Sequence, residues 1–120
     1  MPFSVSPQPD TIANKLIEFS ATNAAELVTS GSNVFYMIDI DNTVNKEDVH
    51  LKLWNTTSSV TVGTTVPNME VKCTGAVREV ISFPAGITFG TGMTLAMTTE
   101  GGTAGVTNPT NAVPVKLLLA

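Results

Sequence analysis

Charge is scarce in this sequence. Lysine and arginine number 6, aspartate and glutamate 10, and charged residues make up 13% of 120 positions, roughly half the usual share of about 25% in soluble domains. The few cations are scattered, which excludes direct binding to a nucleic-acid backbone, because that needs grouped lysines and arginines. Cys73 is the only cysteine, so no intrachain disulfide is possible. It runs in phase with Met69 and Val71 and reads as a buried, inert thiol. With a single histidine, His50, neither a Ser-His-Asp triad nor a multi-histidine metal cluster is predicted. No apolar run approaches the roughly 20 residues of a membrane-crossing helix. The opening residues, MPFSVSPQPD, lack the charged start and apolar core of a secretory leader, which predicts synthesis and folding in a host cytoplasm.

Threonine, serine, asparagine, glycine and valine occupy the space that lysine and glutamate usually fill, a mixture that favours strands and turns over helices. A weakly charged surface of this kind suits coverage by partner subunits. The length fits one domain, large enough to hold a core without metals or disulfides.

Pro2, Pro7 and Pro9 fix φ and withhold backbone donors near the start. Residues 1–14 therefore read as an extended arm, and 15–120 as a single domain whose first strand starts near residue 15. Short alternating runs follow at 25–30, 34–40, 49–54, 69–73, 77–83, 93–98 and 112–119. In VFYMIDI (34–40), strict alternation places Val34, Tyr36, Ile38 and Ile40 on one face and Phe35, Met37 and Asp39 on the other. Val49, Leu51 and Leu53 face inward on their strand, as do Met93, Leu95 and Met97 on theirs. Glycine and proline punctuate the gaps, with Pro84-Ala85-Gly86 read as a turn. Pro114 places the last run at an edge or a strand start. About eight short strands separated by turn signals predict an all-β, antiparallel sandwich, each sheet having one wet or partner-facing side.

The stretch FYMIDIDNTV (35–44) contains Asp39-x-Asp41-x-Thr43, the pattern that opens the active site of haloacid-dehalogenase-type phosphotransferases. There the first aspartate attacks phosphorus, the second shuttles a proton, and both help to hold Mg²⁺. That chemistry also needs a parallel sheet with crossover helices and a late acidic pair. Here a new strand begins at Val49 and no aspartate follows Asp48. An EF-hand starting at Asp39 would need glycine and glutamate where Val44 and His50 stand. An irregular Ca²⁺ site from Asp39, Asp41 and Asp48 competes with a plainer reading, in which DNTVNKED is a polar tip between strands. The reading therefore assigns no catalytic residue, no cofactor and no metal ligand.

Trp54 lies opposite Leu51 and Leu53. It either closes the sandwich or anchors a partner, since tryptophan is enriched at interface hot spots. A saccharide platform needs a second aromatic, which the sequence does not supply nearby. Phe3, Val5, Pro7 and Pro9 of the arm complete the interface candidates.

The stretches 51–71, 80–99 and 112–120 together resemble a group of small virion proteins of tailed bacteriophages. The shared pattern is P-x-G-[IL]-x-F-x-x-G, here Pro84, Gly86, Ile87, Phe89 and Gly92, followed by an apolar strand, a Gly/Thr-rich loop and a short final strand. The resemblance implies a jelly-roll-like sandwich and a homotrimeric, non-enzymatic capsid decoration (cement) protein on the outer surface of the virion. Its implied partners are its own copies and the major capsid protein, with no nucleic acid, membrane or small-molecule substrate. The alternative is a sugar-binding or structural sandwich module of a phage tail, neck or baseplate.

Overall fold

The computed structural model describes residues 15–120. Its strands are β1 (Lys15–Ala21), β2 (Glu26–Thr29), β3 (Asn33–Asp41), β4 (Val49–Trp54), β5 (Met69–Cys73), β6 (Arg78–Phe89), β7 (Met93–Thr98) and β8 (Val113–Leu119), with a 3₁₀ turn at Asn42–Val44 after β3. They make two four-stranded sheets, ordered β1-β8-β3-β6 and β2-β7-β4-β5. The order follows from rolling up one long antiparallel ribbon. Its rungs are β1 with β8, β2 with β7, β3 with β6 and β4 with β5. Rolling brings β3 beside β8 in one sheet and β4 beside β7 in the other. This is a jelly roll. The predicted arm, with Phe3, Val5, Pro7 and Pro9, lies outside the described residues.

The strands read at 49–54, 69–73 and 93–98 match β4, β5 and β7. Alternation carries their apolar residues inward: Val49, Leu51, Leu53, Val71, Cys73, Met93, Leu95 and Met97 are buried between the sheets. β8 supplies Val113, Val115, Leu117 and Leu119 from the opposite side. Phe35 sits among them, edge-on to Phe83 at 5.6 Å and to Phe89 at 5.3 Å between ring centroids, the arrangement aromatic quadrupoles prefer.

Two expectations are corrected. Strict alternation put Phe35 on the face opposite Ile38 and Ile40, yet all three are buried in the core. The reason is a one-residue bulge. Phe35 pairs with Leu119 and Met37 with the adjacent Leu118, leaving Tyr36 as the extra residue. A bulge shifts the side-chain phase, so the inward set changes parity across Tyr36. The second correction concerns Pro84-Ala85-Gly86, which is not a turn between strands. β6 continues through it to Phe89, and residues 83–86 swell out between the pairs Met37–Ser82 and Phe35–Ile87. Proline, which cannot donate to a ladder, is tolerated there because β6 is an edge strand and the segment is bulged.

Gly86 makes this swelling possible. Its φ is +75°, and a Cβ there would stand 2.5 Å from Val34 Cγ1 and 2.8 Å from Tyr36 Cε1. Gly86→Ala is expected to lose about 1–3 kcal/mol in urea unfolding. Gly90→Ala, where a Cβ meets nothing within 4 Å, should stay within about 0.5 kcal/mol of the parent. Equal effects at the two glycines would contradict the bulge assignment.

Candidate functional site

The aspartates of the Asp-x-Asp-x-Thr pattern serve the fold. Asp39 is on the outer face of β3, where its carboxylate accepts from Arg78 Nε at 2.9 Å and from the other arm of the same guanidinium. The Asp39 side chain is only 7% exposed, so both oxygens are taken up by a close-fitting ion pair. Asp41 caps the 3₁₀ turn, accepting from the Thr43 hydroxyl and, at 3.1 Å, from the Thr43 N–H. Those two bonds hold its carboxyl below the usual range. Asp48 accepts from the Gly75 N–H at 2.9 Å and pairs with Lys72 at 3.4 Å. The three carboxylates do not converge, and no group of three or more His, Cys, Asp or Glu side chains suited to a metal occurs among the described residues.

Beside them lies a polar knot that ties one end of the sandwich. Asn42 is fully buried and donates to Glu47 O at 2.8 Å and to Thr74 O at 3.1 Å. Its Oδ1 accepts from Asn45, which also bonds Asn111 O at 2.9 Å. Asparagine suits these positions because one side chain carries both donors and an acceptor. Cys73 is buried nearby, its Sγ 3.3 Å from Val77 O. Burial raises its pKa, which disfavours the reactive thiolate.

The outer face of the β2-β7-β4-β5 sheet, predicted to be wet or partner-facing, is sealed by the chain itself. Lys52 is 0% exposed and donates to Gly105 O at 2.8 Å. Trp54 is 1% exposed, its indole N–H donating to Thr65 O at 3.0 Å. Trp54 therefore packs on the outer face of its sheet beneath residues 55–68, outside the core between the sheets, and its candidacy as an interface anchor is corrected because that segment already covers it. Residues 99–112 cover the neighbouring ground, and the two segments meet at Gly63, where a Cβ would collide with Val106 Cγ1.

Glu100 holds the second segment in place. It accepts from the Thr107 hydroxyl and N–H and from the Val106 N–H. These bonds, that from the Thr107 hydroxyl first, lower its pKa. A carboxylate whose folded pKa is depressed contributes stability in full above the ordinary glutamate range, and loses it as pH falls through the depressed value. Amide exchange across 99–112, corrected for intrinsic rates, is expected to accelerate on acidification through that window. Glu100→Gln should flatten the dependence; an unchanged dependence would assign it elsewhere.

Among the described residues, no segment covers the other outer face. On the β1-β8-β3-β6 sheet, register aligns Leu16 with Leu118 and Leu118 with Met37. None of the three belongs to the core cluster. Leu16 is 54% and Val80 53% exposed. One strand step along, Glu18, Lys116 and Asp39 form a charged row, with Lys116 3.8 Å from Glu18. The face thus joins an apolar row to a row of alternating charge.

Fold and surface together define a class, an eight-stranded antiparallel β-sandwich with one outer face covered by its own loops and the other left uncovered by the described residues. No family model matches the chain, and neither a curated protein nor a solved structure does. The Pro84–Gly92 pattern is accounted for structurally. Gly86 opens the bulge, and Ile87 and Phe89 pack in or against the core. A Cβ on Gly92 would stand 2.8 Å from Thr29 O.

Proposed function

We propose that this chain is a non-enzymatic virion structural protein: a homotrimeric decoration protein that binds the outer surface of a tailed-phage head and stabilises it. The observation that carries the reading is the contrast between the two outer faces. The chain seals one sheet with two long segments, yet among the described residues leaves exposed Leu16 beside half-buried Leu118 and Met37 as an apolar row on the other, with exposed Val80 at the end of the adjoining charged row. Contiguous exposed apolar side chains with a polar surround are typical of interaction sites. A charge-poor surface also desolvates at modest cost. Symmetry multiplies such a contact over a shell, so an interface that is modest for one copy becomes strong for the particle. The aspartates that raised phosphoryl transfer are held in ion-pair and capping roles. Trp54, which a saccharide-binding module would need at its surface, is covered.

The test is to incubate purified protein with undecorated heads and sediment them. The reading expects saturable binding at the outer surface and heads that resist heat or chelation better than bare ones. A chain that stays monomeric at every concentration and never sediments with heads would overturn it.

A further inference from the structure

Residues 99–107 make a loop that closes on itself. The Thr99 N–H donates to Thr107 O at 3.0 Å and forms the neck. The Glu100 carboxylate tightens that neck by accepting from Thr107 and Val106. A compact loop whose ends lie this close is an Ω-loop, a kind that is frequently functional. It lies over Lys52 and Glu70, cross-strand neighbours on β4 and β5. Polar bonds tie it to the sandwich. The Lys52 ammonium donates to Gly105 O at 2.8 Å, and the Gly102 N–H donates to the Glu70 carboxylate at 3.0 Å. Asn23 donates to Val106 O at 3.0 Å, and the Thr98 hydroxyl to Glu100 O at 2.6 Å. Water can replace each of these. Apolar burial adds little, because between Glu100 and Val106 the only apolar side chain larger than alanine's is that of Val106, and it is 48% exposed. Lys52 is fully buried beneath the loop. Taking an ammonium out of water is costly, and a neutral carbonyl offsets only part of that cost.

We propose that residues 100–106 act as a lid, latched by Glu70, that swings about the Thr99–Thr107 neck while the sandwich stays folded and so gates access to the Lys52 amine. A segment with few buried apolar contacts and solvent-exposed hydrogen bonds opens at a fraction of the cost of global unfolding. Here opening also returns the ammonium to water. The closed lid sits tightly on the sheet at Gly101, where a Cβ would lie 3.1 Å from the His50 ring and 3.2 Å from Glu70 Oε1. Swung open, it presents the Lys52 amine to solvent with His50 and Glu70 beside it on the outer face of β4 and β5. The lid and everything it touches belong to one chain, so it works whether or not copies assemble.

Acetylating the folded chain with an amine-reactive ester over a series of low urea concentrations, with each lysine read by peptide mass mapping, tests this. Exposed Lys46 reports the unhindered rate. Lys52 is expected to react while the protein is folded, at least about 100-fold more slowly than Lys46, at a rate that stays flat as urea rises below the unfolding transition. Glu70 is exposed on edge strand β5, so Glu70→Ala removes the latch and spares the fold. It should speed labelling of Lys52 about tenfold with the melting temperature nearly unchanged. Glu70→Gln, which keeps an acceptor for the Gly102 N–H, should fall between parent and alanine. Three results would each overturn the proposal. Lys52 labelled as fast as Lys46 would mean that no closed lid protects it. A Lys52 rate that climbs with urea in step with unfolding would mean that only global unfolding frees the amine. An unaltered Lys52 rate in Glu70→Ala would mean that Glu70 latches nothing.

Discussion

Asn42→Ala is expected to destabilise the protein by about 3–5 kcal/mol, lowering the melting temperature by about 10–20 °C. The substitution removes the donor to two partly buried carbonyls, Glu47 O and Thr74 O, weakens a buried contact with Cys73 O, and takes the acceptor from the buried Asn45 amide. Each buried polar group left without a partner costs about 1–3 kcal/mol. Asn42→Asp separates hydrogen bonding from packing. It keeps the shape but replaces two N–H donors with an oxygen facing carbonyls, so it should be at least as damaging as alanine. A well-tolerated aspartate would show that the knot is not held by these bonds.

The second large effect is on assembly. Leu16→Glu combined with Leu118→Lys is expected to weaken head binding about 100-fold or more, with thermal stability changed by less than about 1 kcal/mol. Burying a leucine is worth about 1.5–3 kcal/mol, and each decade of affinity corresponds to 1.4 kcal/mol. The two positions lie directly opposite across β1 and β8. Opposite charges placed there can pair within the monomer and spare its fold. Titrating heads with the variant and the parent, alongside a melting curve for each, checks both halves. Undiminished binding by a fully folded variant would remove this face from the interface.

Much of the architecture was legible because the signals were local and consistent. β4, β5 and β7 alternate cleanly, and their inward residues are the ones periodicity selects. What escaped depends on partners distant in the chain. The phase change at Tyr36 arises because β8 supplies no residue opposite it, and nothing within FYMIDI marks this. Pro84-Ala85-Gly86 carries ordinary turn chemistry; only pairing with β3 on both sides turns it into a swelling within one strand. Trp54 falls on the side opposite Leu51 and Leu53, and alternation separates the two sides of a strand without revealing what covers either. The covering segments, 55–68 and 99–112, are rich in hydroxyl and glycine residues and carry little periodic signal of their own. The open face was visible only in part: Leu16 and Leu118 are far apart in sequence, and register alone makes them neighbours.

The account stands most directly on where this chain sits in an assembled particle and which way it faces. A cryo-EM reconstruction of heads bearing the protein is expected to show the jelly roll on the outer shell, with the β1-β8-β3-β6 face against capsid subunits and the 55–68 and 99–112 segments turned to solvent. Density showing that row of Leu16, Leu118 and Met37 turned to solvent, or heads incubated with saturating protein that carry no density for the chain, would contradict it.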